Sequence, residues 1–254
     1  MYKNFIKALF LLPISFLTLF YTASGQETIR FRTVRASTED ELTYQQHFKA
    51  YTLATLNTES VTTLLRSRDY FSGLSLEVNN QEFQFTLIAH DVRDPDYKLR
   101  ALTENGIIEY PRSPNKTWSG YTQGNHLDVR ITADEDFFHA LIVQPHDALY
   151  IEPARDIVPS APANQFVIYW ESDNLKQFDL NLCGAKAIPP SQASPYEEHD
   201  DQYNTNDRNR SCKTVQIALA DDHLMFDKYG SVGDVEDHNT AVINDVLTNY
   251  DFEF

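Results

Sequence analysis

Apolar and polar residues alternate cleanly over residues 74–78 and again over 83–87, with Asn79-Asn80 between them. A period of two marks a strand with one buried face. Two such runs about an Asn-rich turn predict a β-hairpin. Residues 28–34 alternate in the same way, as Ile29-Arg30-Phe31-Arg32-Thr33-Val34. The region 38–66 is mixed, and a short helix is read over residues 60–65. After a turn-rich break at 91–95, strand patterns recur at 106–110, 118–122, 126–132, 137–144 and 148–152. Their spacing of about 8–12 residues is the rhythm of an all-β sandwich or barrel. Phe166-Val167-Ile168-Tyr169-Trp170 predicts a further strand in the core.

The pattern changes near residue 179. Residues 189–211 are rich in Pro, Ser, Asn, Asp and Glu without apolar periodicity, and read as a linker. Residues 214–220 then read as a buried strand. Asp221 or Asp222 offers an N-cap for a helix over 222–229 that Gly230 stops. A second helix is predicted over 233–250, where Val235, Val242, Ile243, Val246, Leu247 and Tyr250 recur at helical spacing. Residues 251–254 read as the start of another strand. A unit of this size is too small to bury its own core. The expected architecture is therefore a mainly β domain, sandwich or barrel, over residues 26–178. A loop and linker follow at 179–211, and then a truncated α/β fragment, strand-helix-helix, at 212–254.

The first 25 residues change the picture of where the chain goes. Lys3 and Lys7 precede an apolar run over residues 8–21, and Ala23-Ser24-Gly25 precedes Gln26. This is a secretory signal with cleavage expected between Gly25 and Gln26. The run is shorter than the roughly 20 residues that span a bilayer. The mature chain is expected to be secreted or periplasmic, without a membrane partner after signal removal. Loss of the two lysines takes the net charge from −16 to −18. Such a chain repels phosphate backbones, which excludes a nucleic-acid partner. With 14 Tyr and 16 Phe against 8 Gly, the composition suits aromatic-rich strands.

Candidate chemistry centres on Asp179-Leu180-Asn181-Leu182-Cys183-Gly184-Ala185-Lys186. A thiolate is a strong zinc ligand, and Gly184 lets the backbone approach a cleft closely. The competing reading is a disulfide between Cys183 and Cys212, the habit of exported cysteines. Glu197-Glu198-His199-Asp200-Asp201 reads as a solvated acidic loop. Arg208-Asn209-Arg210 reads either as an exposed point for proteolytic nicking in a flexible linker or as a plain solvated charge cluster.

Val215 to Gly230, with Ala220-Asp221-Asp222-His223 and Phe226-Asp227-Lys228-Tyr229-Gly230, resembles the opening of the catalytic domain of reprolysin (adamalysin) zinc metalloproteases of bacterial secreted type. Residues 74–80, 121–124, 140–143 and 150–153 are similar to the strands of that family's propeptide, and Leu182-Cys183-Gly184 falls where its cysteine switch stands. The resemblance implies a latency and folding propeptide. Cys183 would cap the zinc of a protease catalytic domain, in cis or in trans, and cleavage near Arg208 and Arg210 would release it. The family's H-E-x-x-H-x-x-G-x-x-H site is missing. None of His47, His90, His126, His139, His146, His199, His223 and His238 has the required partner. His223 and His238 read as a capping residue and a helix-surface residue. Gln216 replaces the calcium-binding Glu of many relatives. The chain is thus expected to bind no cofactor itself and to hydrolyse nothing alone. The alternative from another class is an exported, non-enzymatic β-rich binding module.

Overall fold

The computed structural model describes residues 27–78, 81–175 and 217–253. In chain order the elements are β1 (Thr28–Arg30), β2 (Arg32–Val34), α1 (Thr38–His47), β3 (Thr52–Thr55), α2 (Thr58–Arg66), β4 (Tyr70–Val78), β5 (Gln81–Ala89), β6 (Leu99–Thr103) and β7 (Gly106–Tyr110). There follow β8 (Thr117–Thr122), β9 (Asp128–Asp134), β10 (Phe137–Gln144), β11 (Asp147–Pro153), β12 (Gln165–Trp170), α3 (His223–Tyr229) and α4 (Val232–Glu253).

Ten strands form one sheet in the order β1-β4-β5-β8-β9-β10-β11-β12-β3-β2. Its two edges, β1 and β2, are consecutive in the chain and separated by Phe31 alone. One segment therefore pairs in parallel with β4 through its first half and antiparallel with β3 through its second. The Phe31 N–H extends the first pairing by donating to the Glu77 carbonyl at 3.2 Å. The sheet is thus a nearly closed barrel, which leaves little unpaired edge. The alternation over 28–34 suggests a single strand; two short ones form because the segment changes partners midway.

The interior explains the alternation. Val129, Ile131 and Ala133 of β9, Phe138, Ala140 and Ile142 of β10, and Phe166 and Ile168 of β12 enter one core. The rings of Phe31, Phe138 and Phe166 meet edge-on at 5.7, 6.0 and 6.1 Å between centroids, a favourable arrangement of ring quadrupoles. Helix α2 contributes Val61 and Leu65 to the same core. It is capped by Asn57, whose side chain accepts from the Ser60 N–H. The Thr62 hydroxyl ties it to the Asp134 carbonyl at 2.8 Å. Helix α1 packs outside the barrel, where Tyr44 and Phe48 join Leu53, Val167 and Tyr169. This helix lies where residues 38–66 read as mixed; its N-cap Ser37 accepts from the Asp40 N–H, and its first turn is acidic. Strands β6 and β7 form a separate hairpin.

The C-terminal segment departs from expectation in three respects. Residues 217–220 join no strand, and Ile217 and Leu219 are exposed. Helix α4 continues to Glu253 instead of giving way to a strand, since no Gly or Pro interrupts residues 234–253. The largest difference is in the face it turns inward. The apolar spacing of α4 predicts a buried stripe of Val235, Val242, Ile243, Val246, Leu247 and Tyr250; of these Val235 is buried and Ile243 and Leu247 are part-buried. The helix instead lies on β8, β9 and β10 through Glu236, Asp237, Thr240, Asn244 and Thr248, all buried, with Val235 and Ala241. Val242 and Val246 are 45% and 40% exposed. Charged groups on the barrel wall, not apolar area, select the buried face.

Candidate functional site

Two cations of the barrel wall meet the first turns of α4. Arg93 lies in the segment between β5 and β6, and Lys116 immediately precedes β8; their side chains are only 4% and 3% exposed. Asp91 grips the Arg93 guanidinium through both carboxylate oxygens, at 2.8 and 2.9 Å. The Ser113 and Pro114 carbonyls accept from the same group at 3.2 and 2.8 Å. What remains of the guanidinium donates to Glu236 at 3.1 Å and to the Ser113 hydroxyl at 2.6 Å, and that hydroxyl in turn donates to Glu236 at 3.1 Å. Lys116 donates to Asp134 and Glu236, each at 2.9 Å, and to Asp237. Asp134 also holds Arg66 at 3.0 Å.

Burial of a charge is costly unless it is paired and hydrogen-bonded. Here burial pushes the Glu236 carboxyl up, but Lys116 and Arg93 overcome it and hold the group below the usual glutamate range. Burial would likewise favour a neutral Lys116, and Asp237, Asp134 and Glu236 together raise its pKa instead. Three carboxylates on one ammonium leave an excess of negative charge. Asp237, pushed by burial and by its acidic neighbours up to about 7, is the member that takes a proton first.

A second polar layer lies one face along. His139 of β10, nearly buried, meets the Asp245 carboxylate of α4 at 2.7 Å. Burial works against its charge, but Asp245, with Glu152 and Asp156 behind it, raises the imidazole to about 9. Burial lifts Asp156 to about 6. Tyr229 of α3 stacks on His238 with ring centroids 4.5 Å apart. Burial, followed by the charges of Lys228 and His139, lowers His238 to about 4. His238 is therefore packed against α3 and is not the free surface residue its sequence position suggests. His223 is exposed at the start of α3, and the cap itself is Asp222, which accepts from the Leu224 and Met225 N–H groups. These contacts make an electrostatic clamp between barrel and helix, with the imidazole facing carboxylates rather than a nucleophile.

The chain matches no family model and no curated protein. What the site does must be argued from its own residues. Cys183, Cys212, Gly25, Gln26, Arg208 and Arg210 lie outside the described residues. Among the described residues, the one grouping with metal-ligand spacing is Asp136, Asp234 and Asp237, whose oxygens lie within 4.8 Å of one another. It does not fit zinc. It offers no imidazole or thiolate, the donors zinc prefers in closed sites, and Asp237 is already bound to Lys116. Ser231 caps α4, accepting from the Asp234 N–H and donating to the Asp234 carboxylate, which also meets Arg155 at 3.4 Å. No described helix is long and apolar enough to cross a membrane.

The clamp residues Arg93, Lys116, Glu236, Asp237, His139 and Asp245 carry no signal in the sequence. Partners 120 and 143 positions apart leave no local pattern. The one available hint was the strength of acidic charge on the first turns of an otherwise apolar-periodic helix.

Proposed function

We propose that this chain is a non-catalytic pro-domain: a β-barrel that holds the opening helices of a reprolysin-type zinc endopeptidase domain and keeps that domain latent. The observation that carries this reading is the reversed amphipathicity of α4. Its polar face is held by the barrel, while Val242 and Val246 point outward with the exposed Leu224 and Phe226 of α3. A helix that hides carboxylates and shows valines is held ready for a second, apolar layer, since apolar stripes are stable when covered. The resemblance of residues 215–230 to the first elements of the protease family names that layer, and Cys183 is assigned as the latency thiol.

Hydrolysis of a fluorogenic peptide by a reprolysin-type catalytic domain, refolded with and without the chain, tests the reading. The expected result is a higher yield of folded protease that stays inactive until Cys183 is alkylated. Full activity at saturating chain, with Cys183 reduced, would remove the latency role. The exported binding module keeps one observation of its own. The β6–β7 hairpin exposes Leu102 and Ile107, which face each other across the pair, at 83% and 72%.

A further inference from the structure

The barrel is complete without α4. Its sheet closes through residues 28–34, and its core is filled by strand residues and α2. The two cations that meet α4 are also oriented without it. Arg93 is aimed by Asp91 and by the Ser113 and Pro114 carbonyls, and Lys116 by Asp134. A guanidinium pinned in this way has lost its rotamer freedom before the ligand arrives, which is the condition for recognising a carboxylate pair specifically. The cradle is matched to two adjacent carboxylates. Glu236 bridges Arg93, Ser113 and Lys116, and Asp237 takes the remaining side of Lys116.

The helix is the less committed partner. Val242 and Val246 of its apolar stripe are exposed, and two buried polar atoms on its docked side, Asn244 Oδ1 and Asp245 Oδ1, have no hydrogen-bond partner. Unmet acceptors of this kind weaken an interface. From these observations we infer that Arg93, Lys116 and Ser113 form a preorganised receptor for an adjacent Glu-Asp pair on a helix. Helix α4 occupies the receptor in cis and exchanges for an acidic helix supplied in trans. The site therefore recognises a protein helix carrying vicinal carboxylates near its N-terminal end, whichever chain that helix belongs to. This inference stands on the barrel wall and the face of α4 docked on it, and does not depend on the protease reading.

The test uses the whole chain and a labelled peptide spanning the 22 residues of α4. In the variant Glu236→Gln/Asp237→Asn the resident helix loses its anchors, and its amides are expected to exchange at least tenfold faster than in the parent. The labelled peptide should then bind this variant and bind the parent at least tenfold more weakly, because the parent's cradle is filled. Adding Lys116→Met to the variant should abolish binding. Unchanged exchange of α4 in the variant would show that the carboxylates do not hold the helix. Absence of peptide binding to a variant with released α4, or equal binding after Lys116→Met, would overturn the receptor. If the variant does not fold, the parent decides: added sodium chloride must speed exchange of α4 while leaving the barrel strands protected. Loss of protection in both together, or in neither, refutes the proposal.

Discussion

Raising the pH should loosen α4 from the barrel through a single imidazole. His139 is 8% exposed and 2.7 Å from Asp245, and its pKa rises from 6.5 to about 9 in the folded protein. A group with a raised folded pKa contributes stability that is complete below its unfolded pKa and lost as pH climbs through the folded one. The loss here falls between pH 6.5 and 9.5. At about 1.4 kcal/mol per pH unit, it amounts to roughly 3 kcal/mol of folded-state stability, of which the share owed to Asp245 is what holds α4. Asp156, raised to about 6, has largely given up its contribution by pH 7. Asp237, raised to about 7, loses its own through the lower part of the same window, so the imidazole is read from the upper part and from the difference between the parent and a His139 variant. His238, lowered to about 4, matters only as pH falls. Amide hydrogen exchange followed by mass spectrometry should show α4 losing roughly a hundredfold in protection over this range while β9 and β10 keep theirs. His139→Gln should start with a weakly held helix at pH 6.5 and, once Asp237 has titrated near 7, lose little more between about pH 8 and 9.5. A parent protein with flat α4 protection from pH 6.5 to 9.5, or an equally steep loss in His139→Gln, would refute the pairing of His139 with Asp245 as the cause.

Two further expectations concern the barrel and the outer face of the helix. A Cβ on Gly120 would lie 1.9 Å from the Thr86 carbonyl oxygen, so Gly120→Ala must part β8 from β5. Urea unfolding should show a loss of about 3 kcal/mol or more, and a loss below about 1 kcal/mol would mean the strands do not approach this closely. The double substitution Val242→Ser/Val246→Ser touches side chains that are 45% and 40% exposed. Its effect on the stability of the isolated chain should stay near 1 kcal/mol or below, as measured by the same unfolding experiment. A much larger loss would show that the stripe is already covered.

Much of the barrel was legible because its physics is local. Where one face meets the core and the other meets water, the sequence must alternate, and residues 83–87 do. Strand β9 alternates as well, Val129, Ile131 and Ala133 inward between polar residues, whereas β10 reads as a nearly continuous apolar run because the core covers one face and α4 packs on the other. The capping residues Asn57 and Asp222 and the left-handed Gly230 at φ 88° act within one helical turn, so the ends of α2 and α3 follow from neighbouring residues. Helix α1 was equally available in Ser37 and Asp40, though its mixed composition hid it. The hydrophobic period of α4 determined that a helix forms, but not which side would be buried. That choice lies with Lys116 and Arg93, which come within reach of Glu236 only when β5, β8 and β9 are aligned in one wall. Asp91 and Asp134 leave donors of the guanidinium and ammonium unmet, and satisfying these buried donors with Glu236 and Asp237 outweighs covering the exposed Val242 and Val246. The helix is local chemistry; its orientation is decided by charges that the chain separates by more than a hundred residues.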